Sequence, residues 1–483
     1  MRAAMEYEMK RHPLCRRQFL MLSVILTWCI IALWLFFRNS SHKSDGESTL
    51  IDSSQEFSRW PPLENQNLNV DCMQGSLSKS LSALESNLRV WGDSEDALCK
   101  DVYNRFFHVY NVFFRAGAIK IPPQFVPKVS KWLNNDENLL KELKNQHVIH
   151  ILNKQTKEYS AFSPLRSKRP QSTSNNSLQY AETIIQETSV NCDFCNYETQ
   201  TSEDIFGRIK TNFCVSAANT FKVDRWHSLI IPFKHNPLEL SEEETMDIFN
   251  AALLWFNKVN SLEAEFKYPW ILWDSMPHAG ASQVHPHVHV GLSVDSYVMY
   301  ENTRSAAQKH FQLFGTNYFT DLIRIHHALG LAVDLGKATA IAQLTSKKDT
   351  EITIISSEVG VDFTRMIYYV IRTYYDMGLY GFSSMTVFPI MGMNEKGSLP
   401  AIIRIATRGD VSSIRSEISS FELFQFSNIN VDPYTVIEKL RTEISLKPPM
   451  YLNIAYLEAT EYNTTSYAHL LLPYKSGPIE QKH

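Results

Sequence analysis

The chain has 483 residues, 44% hydrophobic and 12% aromatic, enough for two or three domains with large cores, which excludes wholesale disorder. A formal net charge of −4, from 47 basic and 51 acidic residues, gives no electrostatic footprint for a nucleic-acid backbone, so no nucleic-acid partner is expected. Seven cysteines exclude a disulfide-dense scaffold, and 17 glycines with 20 prolines exclude a collagen-like or low-complexity chain. In chain order, residues 1–18 form a short tail with Arg2, Lys10, Arg11, Arg16 and Arg17. Residues 19–37 (FLMLSVILTWCIIALWLFF) carry no charge. At about 1.5 Å rise per residue they match a hydrocarbon core of roughly 30 Å, and no small-residue cleavage site follows. This predicts a transmembrane signal anchor. The basic excess before it leaves the tail cytosolic and the catalytic part luminal, as in a single-pass type II protein of the Golgi or another secretory-pathway membrane. Sequons at Asn39, Asn175 and Asn463 are consistent with a glycoprotein on that side. Residues 38–74 are polar and read as a stem. Cys72 and Cys99 could pair in an oxidising lumen, a point the sequence leaves open.

Residues 75–189 read as a mainly helical extension. Leu77, Leu81, Leu84 and Leu88 recur at helical spacing, as do Val102, Phe106, Val109, Val112 and Phe113, and a Ser/Asn/Pro/Arg-rich loop occupies 163–178. From Val190 short strand-like runs appear, at 213–217 and 228–232. Ser241 and Glu244 form a capping box ahead of a helix whose Ile248, Ala251, Ala252, Trp255, Phe256 and Val259 share one face. Strands at 270–274 and 284–292 follow. A similar order recurs: strands at 338–345 and 351–356, a helix over 361–377, strands at 383–389 and 401–407. The pattern is α+β, either as two related half-domains of antiparallel sheet and helix (190–295 and 296–475) or as a coincidental order. The tyrosines 368, 369, 374 and 375 read as packing residues.

The chemistry concentrates in Gly280-Ala-Ser-Gln-Val-His-Pro-His-Val-His-Val290. Side chains on a strand alternate faces, so His285, His287 and His289 share one. Three imidazoles on one surface suit metal ligation or phosphoryl chemistry with histidine as nucleophile or acid. Pro286 removes a ladder donor and places the strand at an edge or a bend. Cys192-Asp-Phe-Cys195 is open between zinc, a disulfide or redox pair, and plain structural cysteines. His235 and His285 could complete a Cys₂His₂ tetrahedron with all four positions filled. His278 is a candidate pocket residue or packing, His227 a residue facing solvent, Lys234 a phosphate contact or a solvated lysine, Cys214 a buried thiol, and His326-His327 an adjacent pair pointing to opposite faces of a strand.

Trp226-His-Ser-Leu-Ile-Ile-Pro-Phe-Lys-His235 followed by HPHVHV at 285–290 resembles the histidine-triad superfamily. The CxxC, His235, and Gly280-x-Ser282 ahead of His285-Pro286-His287 resemble its branch of galactose-1-phosphate uridylyltransferases and dinucleoside polyphosphate phosphorylases. That resemblance implies catalysis by His287 as nucleophile on the α-phosphorus of a nucleotide or nucleotide-sugar, giving a nucleotidyl-histidine that a phosphate-bearing acceptor displaces. It implies that the His285 carbonyl holds one ring nitrogen of His287, that Ser282 binds phosphate oxygens, and that Cys192, Cys195, His235 and His285 hold structural Zn²⁺. By analogy with the branch a homodimer is expected. Where that branch carries Gln, this chain has His289, the residue typical of the hydrolases. This leaves a histidine-triad nucleotide hydrolase as the alternative, and a zinc-stabilised nucleotide-binding module without turnover as a third.

Overall fold

Helices α1 (Leu84–Gly92) and α2 (Ala97–Val109) pack through their apolar stripes, Leu84, Leu88 and Trp91 against Val102, Phe106 and Val109, and a disulfide joins Cys72 to Cys99. They belong to a computed structural model that describes residues 63, 70–75, 77–168, 176–392, 399–413 and 426–446. The chain divides into two units, 1–57 and 58–483, and every described residue lies in the second.

Val112 and Phe113 leave the helical spacing expected of them. The run Tyr110-Asn-Val-Phe-Phe114, rich in residues that favour strands, opens strand β1 (Tyr110–Ala118). Helices α3 (Val126–Trp132) and α4 (Glu137–Lys144) connect it to its antiparallel partner β2 (Asn145–Asn153), which pairs with β3 (Tyr159–Phe162). The stretch expected to be mainly helical thus carries most of a four-stranded sheet. Strand β13 (Phe426–Ile429) completes it, parallel to β3.

After α5 (Ser177–Ser189) and the single turn α6 (Tyr197–Gln200), the chain enters a nine-stranded sheet. One succession runs β4 (Cys214–Ala218), β5 (Trp226–Pro232), α7 (Glu242–Leu262), β6 (Tyr268–Ser275) and β7 (Val288–Ser293). Helices α8 (Val298–Phe314) and α9 (Tyr318–Ala328) and strand β8 (Ala332–Leu335) intervene. A second succession follows: β9 (Ala338–Ala342), β10 (Ile352–Ser356), α10 (Val361–Asp376), β11 (Phe382–Val387) and β12 (Ala401–Thr407). In space each quartet takes the order first, second, fourth, third. The two third strands, β6 and β11, meet antiparallel at the centre with Leu272 opposite Met385.

Helix α7 starts on the capping box: the Ser241 hydroxyl accepts from Glu244 N–H and the Glu244 carboxylate accepts from Ser241 N–H. It packs against α10, Phe249 edge-on to Phe363, and the two helices cover one face of the sheet. Trp255 of α7 and Ser228 of β5 both donate to the buried Asp204 carboxylate, so Ser228 marks the helix-covered face and its neighbours His227 and Leu229 the opposite one. Helix α11 (Pro433–Leu446) packs on α10, β8 and β9. His326 and His327 lie on helix α9, not on a strand. His326 donates to the Leu322 carbonyl one turn back, and His327 bonds Asp334. Tyr374 is core, its hydroxyl shared between the carbonyls of Thr350 and Ile405.

The membrane expectation is overturned as well. Among the described residues no helix is long and apolar enough to cross a membrane, which removes the transmembrane helix from the fold class and the single-pass type II location from the assignment. Residues 19–37, on which both had rested, lie outside the described residues. So do the expected tail, most of the stem, and Asn39, Asn175 and Asn463. A long apolar run carries information about transfer to lipid but none about the tertiary contacts of the segment that bears it.

Candidate active site and metal-ligand cluster

The site occupies the sheet face opposite α7, where β5, β6 and β7 lie side by side. Leu229 and Leu272 flank His289, and His227 pairs with Gly291, which in turn faces Trp270. Gly291 carries no side chain because the Trp270 indole lies across it: a Cβ there would stand 2.0 Å from the ring. That indole stands 5.4 Å from the His227 imidazole, centroid to centroid.

Cys192, Cys195, His235 and His285 converge, their ligand atoms all within 4.8 Å of one another. His285 Nε2–H donates to the Pro232 carbonyl at 2.7 Å, which leaves Nδ1 as a lone pair. His235 Nε2–H donates to the Ile185 carbonyl at 3.1 Å, with the same consequence. The two Nδ1 atoms face each other at 3.2 Å; Cys195 Sγ stands 3.6 Å from that of His235 and 3.5 Å from that of His285, and Cys192 Sγ 3.5 Å from that of His285. Metal–ligand distances near 2.0 Å for nitrogen and 2.3 Å for sulfur give tetrahedral edges of about 3.3 and 3.5 Å. Two lone pairs aimed at one another and edges of these lengths fit a four-coordinate cation. Burial and the adjacent Cys192 push the Cys195 thiol up to about 11, and burial pulls His285 down to about 4.

His287 is 3% exposed. Its Nδ1–H donates to the backbone carbonyl of His285 at 2.9 Å, so Nε2 bears the free lone pair. Burial holds the ring below its ordinary 6.5 and hence neutral, against opposing pulls from that carbonyl and from Asp274. The Phe194 ring packs against it at 5.1 Å and the His289 ring stands at 5.5 Å. Ser282 is exposed on the loop between Gly280 and His285.

His289 has a partner that sequence reasoning missed. Val223 N–H donates to His227 Nδ1 at 3.2 Å, so in the neutral ring His227 Nε2 carries the proton and donates to His289 Nδ1 at 2.9 Å. Asn219, oriented by the bond its Oδ1 accepts from Phe221 N–H, turns its amide toward the same nitrogen at 3.4 Å. The proton of His289 therefore sits on Nε2. Burial, with His287 and His227 as neighbours, pushes this ring to about 4. His227 is buried, not solvent-facing, and the alternation Trp226/Ser228/Ile230 against His227/Leu229/Ile231 was the one signal that placed it on the face of the triplet.

Lys234 is bound to Glu244 and the Glu239 carbonyl, Cys214 is fully buried, and His278 sits in a short turn with a buried Nε2.

The structure resembles those of nucleotidyltransferases and phosphorylases. An ADP-glucose phosphorylase from Arabidopsis thaliana with bound ADP-glucose shares 14% identity and a TM-score of 0.49, over 61% of this chain and 98% of its own. A uridylyltransferase shares 9% identity and a TM-score of 0.41, over 49% of this chain and 88% of its own. Yeast Ap4A phosphorylase in complex with Ap4A shares 14% identity and a TM-score of 0.30, over 61% of this chain and 88% of its own. No family model and no curated protein matches the sequence. At TM-scores below 0.5 these likenesses carry no argument of their own, and the chemistry has to come from the side chains.

Proposed function

We propose that the chain is a nucleotidyltransferase or phosphorylase that acts on a nucleotide or nucleotide-sugar through a covalent nucleotidyl-histidine at His287. The observation that carries this is the bond from His287 Nδ1–H to the His285 carbonyl. It fixes the tautomer, aims the ring and leaves Nε2 as a nucleophile, while burial keeps the ring neutral at neutral pH. The Nε2 lone pair attacks the α-phosphorus, and the P–O bond to the leaving phosphate breaks with its electrons. A phosphate-bearing acceptor or orthophosphate then reverses the displacement. Ser282, exposed on the loop before the triplet, would bind phosphate oxygens through its hydroxyl. Cys192, Cys195, His235 and His285 would hold structural Zn²⁺, which would fix the loop residue His285, whose carbonyl orients His287. A homodimer belongs to the same proposal by analogy alone.

Incubation of the full chain with ADP-glucose, UDP-glucose or Ap4A labelled at the α-phosphorus is expected to leave acid-labile, base-stable label on the protein. His287→Asn is expected to leave none. A normal yield of adduct in that variant removes His287 as the nucleophile. Hydrolysis is the second assignment, favoured by the Nε2–H of His289, which can donate to a leaving oxygen or steer water. Label released equally with and without sugar phosphate or orthophosphate would select it.

A further inference from the structure

Asp274 lies on β6, in the antiparallel register that sets Leu272 opposite His289. Asp274 stands two positions past the last paired residue of β6, on the same face as Leu272, as His287 stands two positions before His289, and its charge is felt at the His287 ring. Its carboxylate is half-buried, and among the described residues no hydrogen bond or ion pair engages it. Among the described residues the buried carboxylates are each bonded at least twice. Asp204 accepts from Ser228 and Trp255, Asp247 from Thr211 and Phe213, and Asp321 from Arg105, His310 and Thr316. Even the cross-strand neighbour of Asp274, Ser383, donates away from it, to the Ala279 carbonyl. On the loop side stands Gly280, whose positive φ of 109° and missing side chain keep cover off the carboxylate: a Cβ there would be 3.8 Å from Asp274 Oδ2.

An unbonded carboxylate beside a phosphate-binding centre is a liability in the ground state, because it repels the anion the site must admit. It gains a use only when positive charge appears next to it. That happens if His287 is the nucleophile, the reading on which this inference rests. When Nε2 bonds phosphorus and the P–O bond to the leaving group breaks, the ring keeps its Nδ1–H and becomes an imidazolium. No proton leaves the ring, and the electron pair departs with the leaving oxygen. The other rings around His287, Phe194 and His289, are uncharged and offer the new cation little.

We infer that Asp274 is the counter-charge for the cationic phosphoryl-imidazole formed at His287, a positioning residue that trades ground-state affinity for the intermediate. The carboxylate acts through the ring, without touching the transferred group.

The test compares wild type, Asp274→Asn, Asp274→Ala and Asp274→Glu as full chains, with α-labelled ADP-glucose, UDP-glucose or Ap4A, whichever labels the wild type. Single-turnover adduct formation is expected to slow at least tenfold in Asp274→Asn and Asp274→Ala, and to recover in part in Asp274→Glu. Affinity for the corresponding nucleoside monophosphate, measured by calorimetry, is expected to stay equal or rise in Asp274→Asn, because a like charge has been removed. Rate and affinity falling together would mark a packing role, and an unchanged rate would mark no role; either overturns the inference while leaving His287 as nucleophile. A wild type without label defeats the nucleotidyl-histidine reading itself, and this inference with it.

Discussion

The five imidazoles of the site, on one short stretch of two strands and a loop, acquire different characters from one partner each. A carbonyl on Nε2 leaves His235 and His285 with free Nδ1 lone pairs, a carbonyl on Nδ1 leaves His287 with a free Nε2 lone pair, and an N–H on His227 Nδ1 leaves His289 with an Nε2–H. The order within the triplet could be inferred from alternation and from the bend that Pro286 requires. The role of His227 could not, because it depends on β5 pairing with β7, a contact between residues about sixty apart in sequence. If the His289 proton assists the leaving oxygen, His289→Ala should lower kcat by roughly 10²–10⁴ with little change in KM. His227→Ala should lower it less, since Asn219 still faces the same nitrogen, and His227→Gln, which keeps a donor, should recover most of the loss. Steady-state kinetics on the substrate that labels His287 checks all three, and equal losses in His227→Ala and His289→Ala would show that the relay is obligatory.

At the scale of elements, the helix start at Ser241 was legible because its signal is local, a hydroxyl and a carboxylate three residues apart, whereas the strand expected over 284–292 begins only at Val288, after Pro286, so that of the triplet His289 alone lies on it. Strand β1 was not, because an amphipathic helix ends at Val109 with its apolar spacing continuing by chance into Val112 and Phe113, and pairing with β2 then decides the conformation. The Cys₂His₂ group acts on the same scale. Its four ligands come from the turn after α5, the end of β5 and the loop into β7, with Ile185 of α5 fixing His235 from outside. Elemental analysis is expected to find one zinc per chain in wild type and none in Cys192→Ser. Chelation should lower the thermal midpoint and expose residues 190–200 to proteolysis first, since that segment has few other buried apolar anchors than Phe194 and Tyr197 against Val215, Ala217, Leu229 and Ile231. A chelated protein with an unchanged midpoint would show that the thiols and imidazoles hold the segment without an ion.

Across the molecule, the two strand quartets share one sheet, and a buried ion cluster ties the small sheet to its second half. Arg404 of β12 reaches Glu158, beside β3, and Glu351, beside β10, with Nη2 to Glu351 at 2.5 Å, and Lys347 adds a bond to Glu158 at 3.3 Å. Burial would push the Glu158 carboxyl up, but Arg404 and Lys347 outweigh it and hold the group below its ordinary 4.5. A carboxyl with a lowered folded-state value contributes stability that is whole above 4.5 and lost as pH falls through the folded value, so wild type should weaken on acidification. None of this was legible in sequence, where the two carboxylates stand 246 and 53 residues from the arginine that pairs them. Arg404→Gln leaves Glu351, 1% exposed, and Glu158, 10% exposed, without their main counter-charge. The expected cost at pH 7 is about 3–5 kcal/mol, the usual penalty for orphaning one side of a buried pair. Burial, the largest influence on Glu158, then raises that carboxyl, so the folded state of the variant binds protons more readily than the unfolded chain does. Its stability should therefore rise from pH 7 toward pH 5, where wild type is flat or falling. Urea denaturation of both proteins across that range measures the slope, and parallel curves would mean that Arg404 stabilises by packing and not by charge.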